Sequence, residues 1–301
     1  MDDLRAALGA FDPDAPLAPA PDPWDSLPMP AVRDAPPWAM AEMIATEPAI
    51  AARIARRMVG DGSAAALAAA VRAAAASGGP VIVTGCGTSE HAAMGVAAIL
   101  RDAWRSAGLA GWGPVAAQAF ELAQEPPSDG LVIGISHEGG TAATIAALEA
   151  ARGRGARTAL ITGSAGSPAA ALADIVLATV ELDRSWCHTV GYVSPLVAAT
   201  AAAALLAGEG PQPGSIADRV KAGIDAAWTT DARGVRPASS IGRAIADATD
   251  LLVVGSGVDR VTARELVLKV EEAAWVPSAM RDLETFLHGH LPATGASTAL
   301  V

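Results

Sequence analysis

The sequence predicts an α/β fold with a doubly wound parallel sheet. Four short runs are apolar on both faces, at 80–84, 130–136, 156–163 and 174–180, and they alternate with alanine-rich stretches of helical character. Strands that are apolar on both faces are typical of a parallel sheet covered by helices on both sides. A later segment repeats the pattern of the first strand, turn and helix. We therefore predict one complete lobe and part of a second.

Composition and charge exclude several classes of protein. Twenty-one Lys and Arg against 32 Asp and Glu give a net charge of −11, so no basic surface is available to hold a nucleic-acid backbone. The acidic start lacks the basic and apolar regions of a signal peptide, which predicts a cytoplasmic protein. The apolar run 196–207 is shorter than the roughly 20 residues that span a bilayer and predicts a buried helix. Cys86 and Cys187 form neither a disulfide framework nor a zinc spacing and are expected as reduced thiols.

The first third of the chain predicts an arm followed by helices. Residues 1–35 are rich in Pro, Ala and Asp and have too few large apolar residues to fold alone, so an extended arm is expected. Apolar residues at helical spacing over 38–58 are interrupted at Pro48, which predicts two helices that meet there. A helix at 63–77 precedes the first strand, and a helix at 89–106 follows it.

The later strands are followed by further helices and a linker. Helices are predicted at 142–155, 167–174 and 194–207, and the Gly- and Pro-rich residues 208–214 form a linker. The predicted domains are an arm (1–35), N-terminal helices with the first lobe (36–208), a linker and helix (209–240) and a partial second lobe (241–301).

An internal comparison predicts a duplication. "VIVTGCGTSEHAAMGVAAILRDAW" from Val81 and "LLVVGSGVDRVTARELVLKVEEAAW" from Leu251 share a strand, a Gly-x-Gly turn and a helix, at an offset of 251 − 81 = 170 residues. A complete second copy needs more residues than remain before Val301. Either the second lobe is rudimentary or the sequence is truncated.

Hydroxyl side chains follow two strands of the first lobe. Thr88 and Ser89 come after the first strand, and Ser136 and Thr141 after the second, each pair with glycines. In a doubly wound sheet the ligand crevice lies beyond the carboxyl ends of the strands, and helix N-termini there favour anions. The pattern predicts an anion site, most simply for phosphate. The alternative is ordinary helix N-caps and turns. Two other motifs match less well. The turn after the first strand lacks the third glycine of a G-x-G-x-x-G dinucleotide-binding motif, and the turn after the second has Glu138 in place of the last glycine of a G-x-S-x-G hydrolase motif.

A lysine and a glutamate form a second candidate site. The chain has 19 arginines and only two lysines. Because arginine serves as the general cation of this chain, Lys269 suggests a function that requires an ammonium group. Lys269 and Glu272 are three apart on a predicted helix and share a face. Aldose–ketose interconversion through an enediol needs such a carboxylate over two adjacent carbons. The alternatives are a surface pair of Lys269 with Glu265 and, for His288 and His290, a metal site that no further ligand cluster supports.

Four motifs resemble a known family. "CGTSEHA", "SHEGGT", "CHTVGY" and "LVLKVEEAAW" with "ETFLHG" are similar, in order, to the motifs of the sugar isomerase (SIS) family. They occur in the isomerase half of glucosamine-6-phosphate synthase and in related amino-sugar-phosphate isomerases and deaminases. The resemblance covers roughly residues 38 to 290.

The resemblance implies roles for residues of this chain. It implies a small sugar-phosphate ligand and a homodimer with shared active sites. We expect no cofactor, no metal, and no nucleic acid or membrane partner. The implied catalytic residues are Glu272 as the base between C1 and C2, Lys269 one turn before it, and His288, which opens the sugar ring in the neighbouring subunit. The implied phosphate and sugar contacts are Thr88, Ser89, Ser136, His137, Thr141, His188 and Thr189.

Two substitutions depart from the family pattern. Glu138 stands where the family usually has a serine on the phosphate, and Val190 replaces a common lysine. The chain does not open with the cysteine nucleophile of a glutaminase domain, so ammonia is expected to be free. The predicted function is a sugar-phosphate isomerase or an amino-sugar-phosphate deaminase. The alternatives are a non-catalytic sugar-phosphate-binding regulator and an inactive fragment.

Overall fold

The structure, a computed structural model, describes residues 2–28 and 30–301. The chain forms two compact units. The larger unit contains residues 10–220, and the smaller contains residues up to Gly9 together with Lys221–Val301. The predicted arm is therefore divided between the two units.

Helices and strands alternate along most of the chain. The α-helices are α1 (Asp2–Ala6), α2 (Ala39–Gly60), α3 (Ser63–Ser77), α4 (Thr88–Ser106), α5 (Ala119–Gln124), α6 (Ala142–Arg154), α7 (Val190–Ala207), α8 (Pro213–Trp228), α9 (Pro237–Ala246), α10 (Asp259–Ala274) and α11 (Leu283–Thr285). The strands are β1 (Val81–Gly85), β2 (Val115–Gln118), β3 (Leu131–Ile135), β4 (Arg157–Thr162), β5 (Ile175–Ala178), β6 (Asp250–Gly255), β7 (Ser278–Asp282) and β8 (Thr298–Leu300).

The sheet of the larger unit is parallel throughout its described strands. Its order is β2-β1-β3-β4-β5, so the direction of winding reverses between β1 and β3. Thr84 of β1 pairs with Gly134 of β3, which places the carboxyl ends of these two strands side by side. The prediction of a doubly wound α/β fold is confirmed.

Both faces of this sheet are buried. Leu131, Ile133 and Ile135 of β3 belong to the core cluster that contains residues of α2, α3, α4 and α7. Val132 of β3 belongs to the cluster on the opposite face, with residues of α5 and α6. Because successive strand residues point to opposite faces, β3 contributes to both cores. Burial on both faces explains why the strands have no polar alternation in sequence.

Helix α7 is the centre of one helical layer. By length and composition it is apolar enough to cross a membrane, yet 61% of it is buried inside the protein. It packs against α2, α3 and α4. The predicted buried helix at 194–207 is confirmed, with a start at Val190.

Three local features differ from the sequence prediction. The two helices expected to meet at Pro48 form one continuous helix, α2. The proline removes one helical hydrogen bond, but Met43, Ile50 and Ile54 on either side of it are at most 1% exposed and hold the helix in the core. Over 167–174 the structure has only a 3₁₀ turn at Ala170–Leu172 in place of the predicted helix. The edge strand β2 was not predicted.

The smaller unit repeats the start of the larger one. Its sheet has the order β7-β6-β8, so β6 lies between the next two strands of its unit, as β1 lies between β2 and β3. Gly87 and Gly257, which are 170 residues apart, have φ angles of 56° and 57°. A side chain would be strained in both turns, because this left-handed backbone favours glycine. The matched sheet order and turn geometry support the predicted internal duplication.

Residues of the arm are docked on the larger unit. The amide of Leu17 donates to Glu181 Oε2 at 2.9 Å, and the Leu17 side chain is only 5% exposed. Arg53 of α2 holds the same carboxylate through Nε at 2.6 Å and Nη2 at 2.7 Å. The arm therefore has a fixed attachment although it lacks helix and strand between Phe11 and Trp38 in the described residues.

Candidate functional site

The two hydroxyl-rich turns lie at the point where the winding of the sheet reverses. Thr88 and Ser89 begin α4, directly beyond β1. Ser136 follows β3, and Thr141 is the N-cap residue of α6. Because β1 and β3 are neighbours, the structure brings both turns to one edge of the sheet. This is the edge at which doubly wound proteins bind their ligands.

The turn at 136–141 is held by its own hydrogen bonds. Ser136, which is 1% exposed, accepts a hydrogen bond from the Gly139 amide at 3.2 Å and donates to Thr141 Oγ1 at 3.3 Å. Gly139 has a φ of 78°, and a Cβ there would lie 1.9 Å from Ser167 Oγ. Among the described residues, no acceptor takes the amides of Gly140 or Thr141. Two N–H groups at a helix N-terminus are thus available to an anion.

His137 is part of the framework beneath this turn. Its Nε2 accepts a hydrogen bond from the Asp183 amide at 2.8 Å, and its carbonyl accepts one from Gly163 at 2.8 Å. Burial and the neighbouring His188 ring, 5.2 Å away between centroids, lower the pKa of His137 to about 4, against the opposing effect of Asp183. The imidazole is neutral at pH 7. Since Nε2 accepts, the proton lies on Nδ1.

Asp183 joins this framework to the start of α7. Its Oδ2 accepts hydrogen bonds from the amides of Thr189 and Val190, both at 2.7 Å. Its Oδ1 accepts from the Ser185 amide at 2.8 Å and hydroxyl at 2.6 Å. The carboxylate therefore positions the predicted sugar contacts His188 and Thr189. Sequence reasoning missed Asp183, although an acidic residue shortly before an apolar helix is a usable capping signal.

Glu47 is a second residue that sequence reasoning missed. It is 7% exposed in α2. Burial raises the pKa of Glu47 to about 8, the Thr189 hydroxyl opposes this rise, and the Asp183 carboxylate adds to it. The side chain is a neutral carboxylic acid at pH 7. A glutamate on the apolar face of a helix was the available signal.

Lys269 and Glu272 meet in the smaller unit, on α10. Lys269 Nζ lies 2.7 Å from Glu272 Oε2 and 3.4 Å from Glu265 Oε1. The lysine side chain is 11% exposed, so the alternative of a surface pair does not describe it. Both glutamates share one ammonium, and Glu265 is the more buried of the two, at 8% against 30%.

The two C-terminal histidines lie in the same unit. His288 is 83% exposed, and its Nε2 is 3.1 Å from Glu284 Oε2. His290 lines a cavity of about 240 Å³ together with Asp250 and Arg281. No group of three or more His, Cys, Asp or Glu is placed to hold a metal ion within 2–28 and 30–301.

Part of the larger unit matches the model of a known protein family. The model of the SIS domain matches residues 75–207, which run from the end of α3 to the end of α7 and include the whole five-stranded sheet of the described chain. Residues 75–207 therefore match the SIS domain. The turns at 88–89 and 136–141 both lie inside it.

The chain is also similar in sequence to part of a characterised aminotransferase. The chain is 32% identical over 229 residues to a glutamine–fructose-6-phosphate aminotransferase (isomerizing) of Symbiobacterium thermophilum. The match covers 70% of this chain but only 35% of that relative's length.

Solved structures share the fold. The C-terminal domain of glucosamine-fructose-6-phosphate aminotransferase from Francisella tularensis matches with a TM-score of 0.70 and 19% identity, over 90% of this chain and 77% of that one. Tagatose-6-phosphate ketose/aldose isomerase from Escherichia coli matches with a TM-score of 0.63 and 20% identity, over 90% and 74%. The SIS domain of this chain therefore has a fold found in phosphosugar isomerases.

Proposed function

We propose that the protein isomerises or deaminates a phosphorylated sugar or amino sugar. The observation that carries the proposal is the 136–141 turn, with two uncommitted amides and paired hydroxyls at the edge of the SIS sheet where winding reverses. A phosphate group has the charge and the acceptor oxygens that such a helix N-terminus binds. Thr88 and Ser89 add a second pair of hydroxyls at the start of α4, beyond the neighbouring strand β1.

The proposed reaction is a proton transfer between C1 and C2. Glu272 takes the proton from one carbon, an enediol or enediolamine forms, and the same carboxyl returns the proton to the other carbon. Lys269 holds the carboxylate at 2.7 Å, and its ammonium supplies a donor for the sugar oxygens. His288 opens the sugar ring by protonating the ring oxygen. His188 and Thr189 contact the sugar, and His137 supports the turn that holds its phosphate.

Glu138 narrows the substrate class. It is an acidic residue within the turn proposed for phosphate, at a position where the family of the resemblance usually has a serine. Like charges repel strongly in a partly buried site. We infer that Glu138 faces a positively charged or hydrogen-bond-donating group of the ligand, such as the ammonium of an amino sugar, and not the phosphate itself.

A second function is a regulator that binds sugar phosphate without turnover. It is favoured by the ion pair of Lys269 with Glu272, because the proposed base is already engaged at 2.7 Å. For catalysis, the carboxylate must exchange this partner for the substrate. A regulator needs only the turns of the SIS domain.

Deuterium exchange separates these functions. We expect purified protein in deuterated water to exchange the C1 or C2 proton of fructose 6-phosphate or glucosamine 6-phosphate, as followed by proton NMR. Replacing Glu272 with Gln should reduce exchange at least about 100-fold, because general-base catalysis contributes that much or more. Glu271→Gln, one residue away and exposed, is the matched control and should exchange like the wild type. Binding without exchange in the wild type would favour the regulator.

We also infer a homodimer that works in the cytoplasm. The inference rests on the resemblance, in which the histidine that opens the ring comes from the neighbouring subunit, and on the metabolic function of the relative. Sedimentation equilibrium tests the dimer: a monomer at micromolar concentration would contradict shared active sites.

A further inference from the structure

A tryptophan of the N-terminal arm contacts the turn that we propose for phosphate. Trp24 Nε1 donates a hydrogen bond to the Glu138 carbonyl at 3.0 Å. A Cβ at Gly140 would lie 2.9 Å from Cζ2 and 3.1 Å from Cη2 of Trp24, so the six-membered ring packs directly on the Gly140 backbone. Trp24 is half-buried, whereas its neighbours Pro23 and Asp25 are exposed.

The arm is anchored on both sides of Trp24. Before it, the Ala18 carbonyl accepts a hydrogen bond from the Leu182 amide at 3.2 Å. After it, Arg33 forms a two-point ion pair with Glu42 of α2, with both contacts at 2.8 Å. These attachments fix the chain at two points, so the indole is presented to the turn from a held segment.

We propose that Trp24 is a positioning residue for the anion turn, so that the N-terminal arm is part of the sugar-phosphate site. The proposal rests on the proposed function of this turn. The indole N–H fixes the orientation of the Glu138 carbonyl, and with it the peptide that leads into Gly139. The ring also covers one side of Gly140, which keeps its amide and that of Thr141 at the start of α6.

The physical effect is preorganisation. A turn of Glu138, Gly139 and Gly140 has many accessible backbone conformations when nothing holds it, because glycine restricts φ and ψ least. Ordering such a turn on ligand binding weakens affinity, and holding it beforehand removes that loss. Trp24 supplies one hydrogen bond to the Glu138 carbonyl and one packing surface to Gly140. Both contacts hold the backbone of the turn in place before the anion binds.

Binding of inorganic phosphate and fructose 6-phosphate to the full chain, measured by calorimetry, tests the proposal. Trp24→Phe keeps a packing surface but loses the N–H. The Kd of this variant for each ligand should be about 3- to 10-fold higher than that of the wild type, as expected for the loss of one hydrogen bond. Trp24→Ala loses both contacts and should bind more weakly still. If the protein turns over, KM should rise in Trp24→Phe while kcat changes little. Trp112→Phe is the matched control, since Trp112 is 96% exposed in the same unit, and it should bind like the wild type.

The outcomes separate this proposal from the proposed function. If both Trp24 variants bind phosphate as tightly as the wild type, the positioning role is wrong and the proposed function stands. A lower melting temperature with an unchanged Kd, measured well below melting, would show that Trp24 only stabilises the fold. If the wild type binds neither phosphate nor fructose 6-phosphate, the proposed function fails and this inference fails with it. Should Trp24→Ala not fold, Trp24→Phe still decides the question.

Discussion

Glu47 and His137 are neutral at pH 7 for the same physical reason. Burial disfavours the charged form of each side chain, which raises the pKa of the acid to about 8 and lowers that of the base to about 4. Asp183, which contacts His137 through its amide, accepts four hydrogen bonds at its side-chain oxygens. Burial thus removes the charges of Glu47 and His137 at pH 7.

The Glu47 carboxyl predicts a specific dependence of stability on pH. Its pKa is higher in the folded chain than in the unfolded chain, so the folded state holds the proton to higher pH. The free energy of unfolding should therefore fall as pH rises from about 5 to 8, by at most about 1.4 kcal/mol per pH unit. Urea unfolding of wild type and Glu47→Gln at several pH values measures this, because the variant should lack that dependence. Glu149→Gln, at an exposed position, should show the same pH dependence as the wild type. If the free energy of unfolding of Glu47→Gln changes with pH as steeply as that of the wild type, the prediction is wrong.

The shared ammonium on α10 predicts a large effect on stability. Lys269→Met removes an ammonium that lies 3.4 Å from Glu265, which is 8% exposed, and breaking such a buried ion pair should cost the smaller unit about 3–5 kcal/mol. The chain's other lysine provides the control. Lys221→Met removes an exposed pair with Asp225 and should change stability by less than about 1 kcal/mol. Equal effects in urea unfolding would show that the α10 network is not a buried one.

Part of the site could be predicted at the level of residues. Ser136 and Thr141 carry a local signal, because hydroxyls beside glycines after a buried strand mark a turn at a sheet edge. The contacts of Asp183 with His137 and of Trp24 with Glu138 join residues 46 and 114 positions apart in sequence, and no local pattern shows these two contacts. A lone tryptophan in a Pro-rich arm with few apolar residues was nevertheless an indication of docking.

Among elements, the turn between β3 and α6 depends on a single glycine. Gly139→Ala combines a φ of 78° with a Cβ 1.9 Å from Ser167 Oγ, so it should lower the free energy of unfolding by about 1–3 kcal/mol and weaken phosphate binding. Gly153→Ala in α6 meets nothing within 4 Å and should be neutral or stabilising by up to about 1 kcal/mol. Thermal unfolding of the two variants measures the difference. A tolerated Gly139→Ala with full phosphate affinity would contradict the turn geometry.

Sequence predicted elements best where local pattern and burial agree. Strands β1, β3, β4 and β5 are apolar runs between turn residues, and each was found within one or two residues of its predicted bounds. Strand β2 is only four residues long, half of them alanine, and it starts with two exposed residues, so it carries no strand signal. At Pro48 a local helix breaker was overridden by tertiary packing of α2, which sequence periodicity alone does not measure.

At the scale of the whole molecule, the fold follows from a repeated α/β unit. In each unit the first strand lies between the next two strands, and a Gly-x-Gly turn leads from it into a helix. The repeat could be predicted from the sequence because both copies have a strand, a turn and a helix at a constant offset. The division of the chain into two units after Gly9 and after Val220 could not be predicted from the sequence, because it depends on which surfaces pack together and not on local composition.

We propose that the turns at 88–89 and 136–141 hold the phosphate of a sugar. Titration of ¹⁵N-labelled protein with fructose 6-phosphate, followed by amide NMR shifts, tests it most directly. We expect the largest shifts at the amides of Gly140, Thr141, Thr88 and Ser89, and inorganic phosphate should shift the same amides. Saturable binding whose shifts lie elsewhere, with these four amides unmoved, would contradict it.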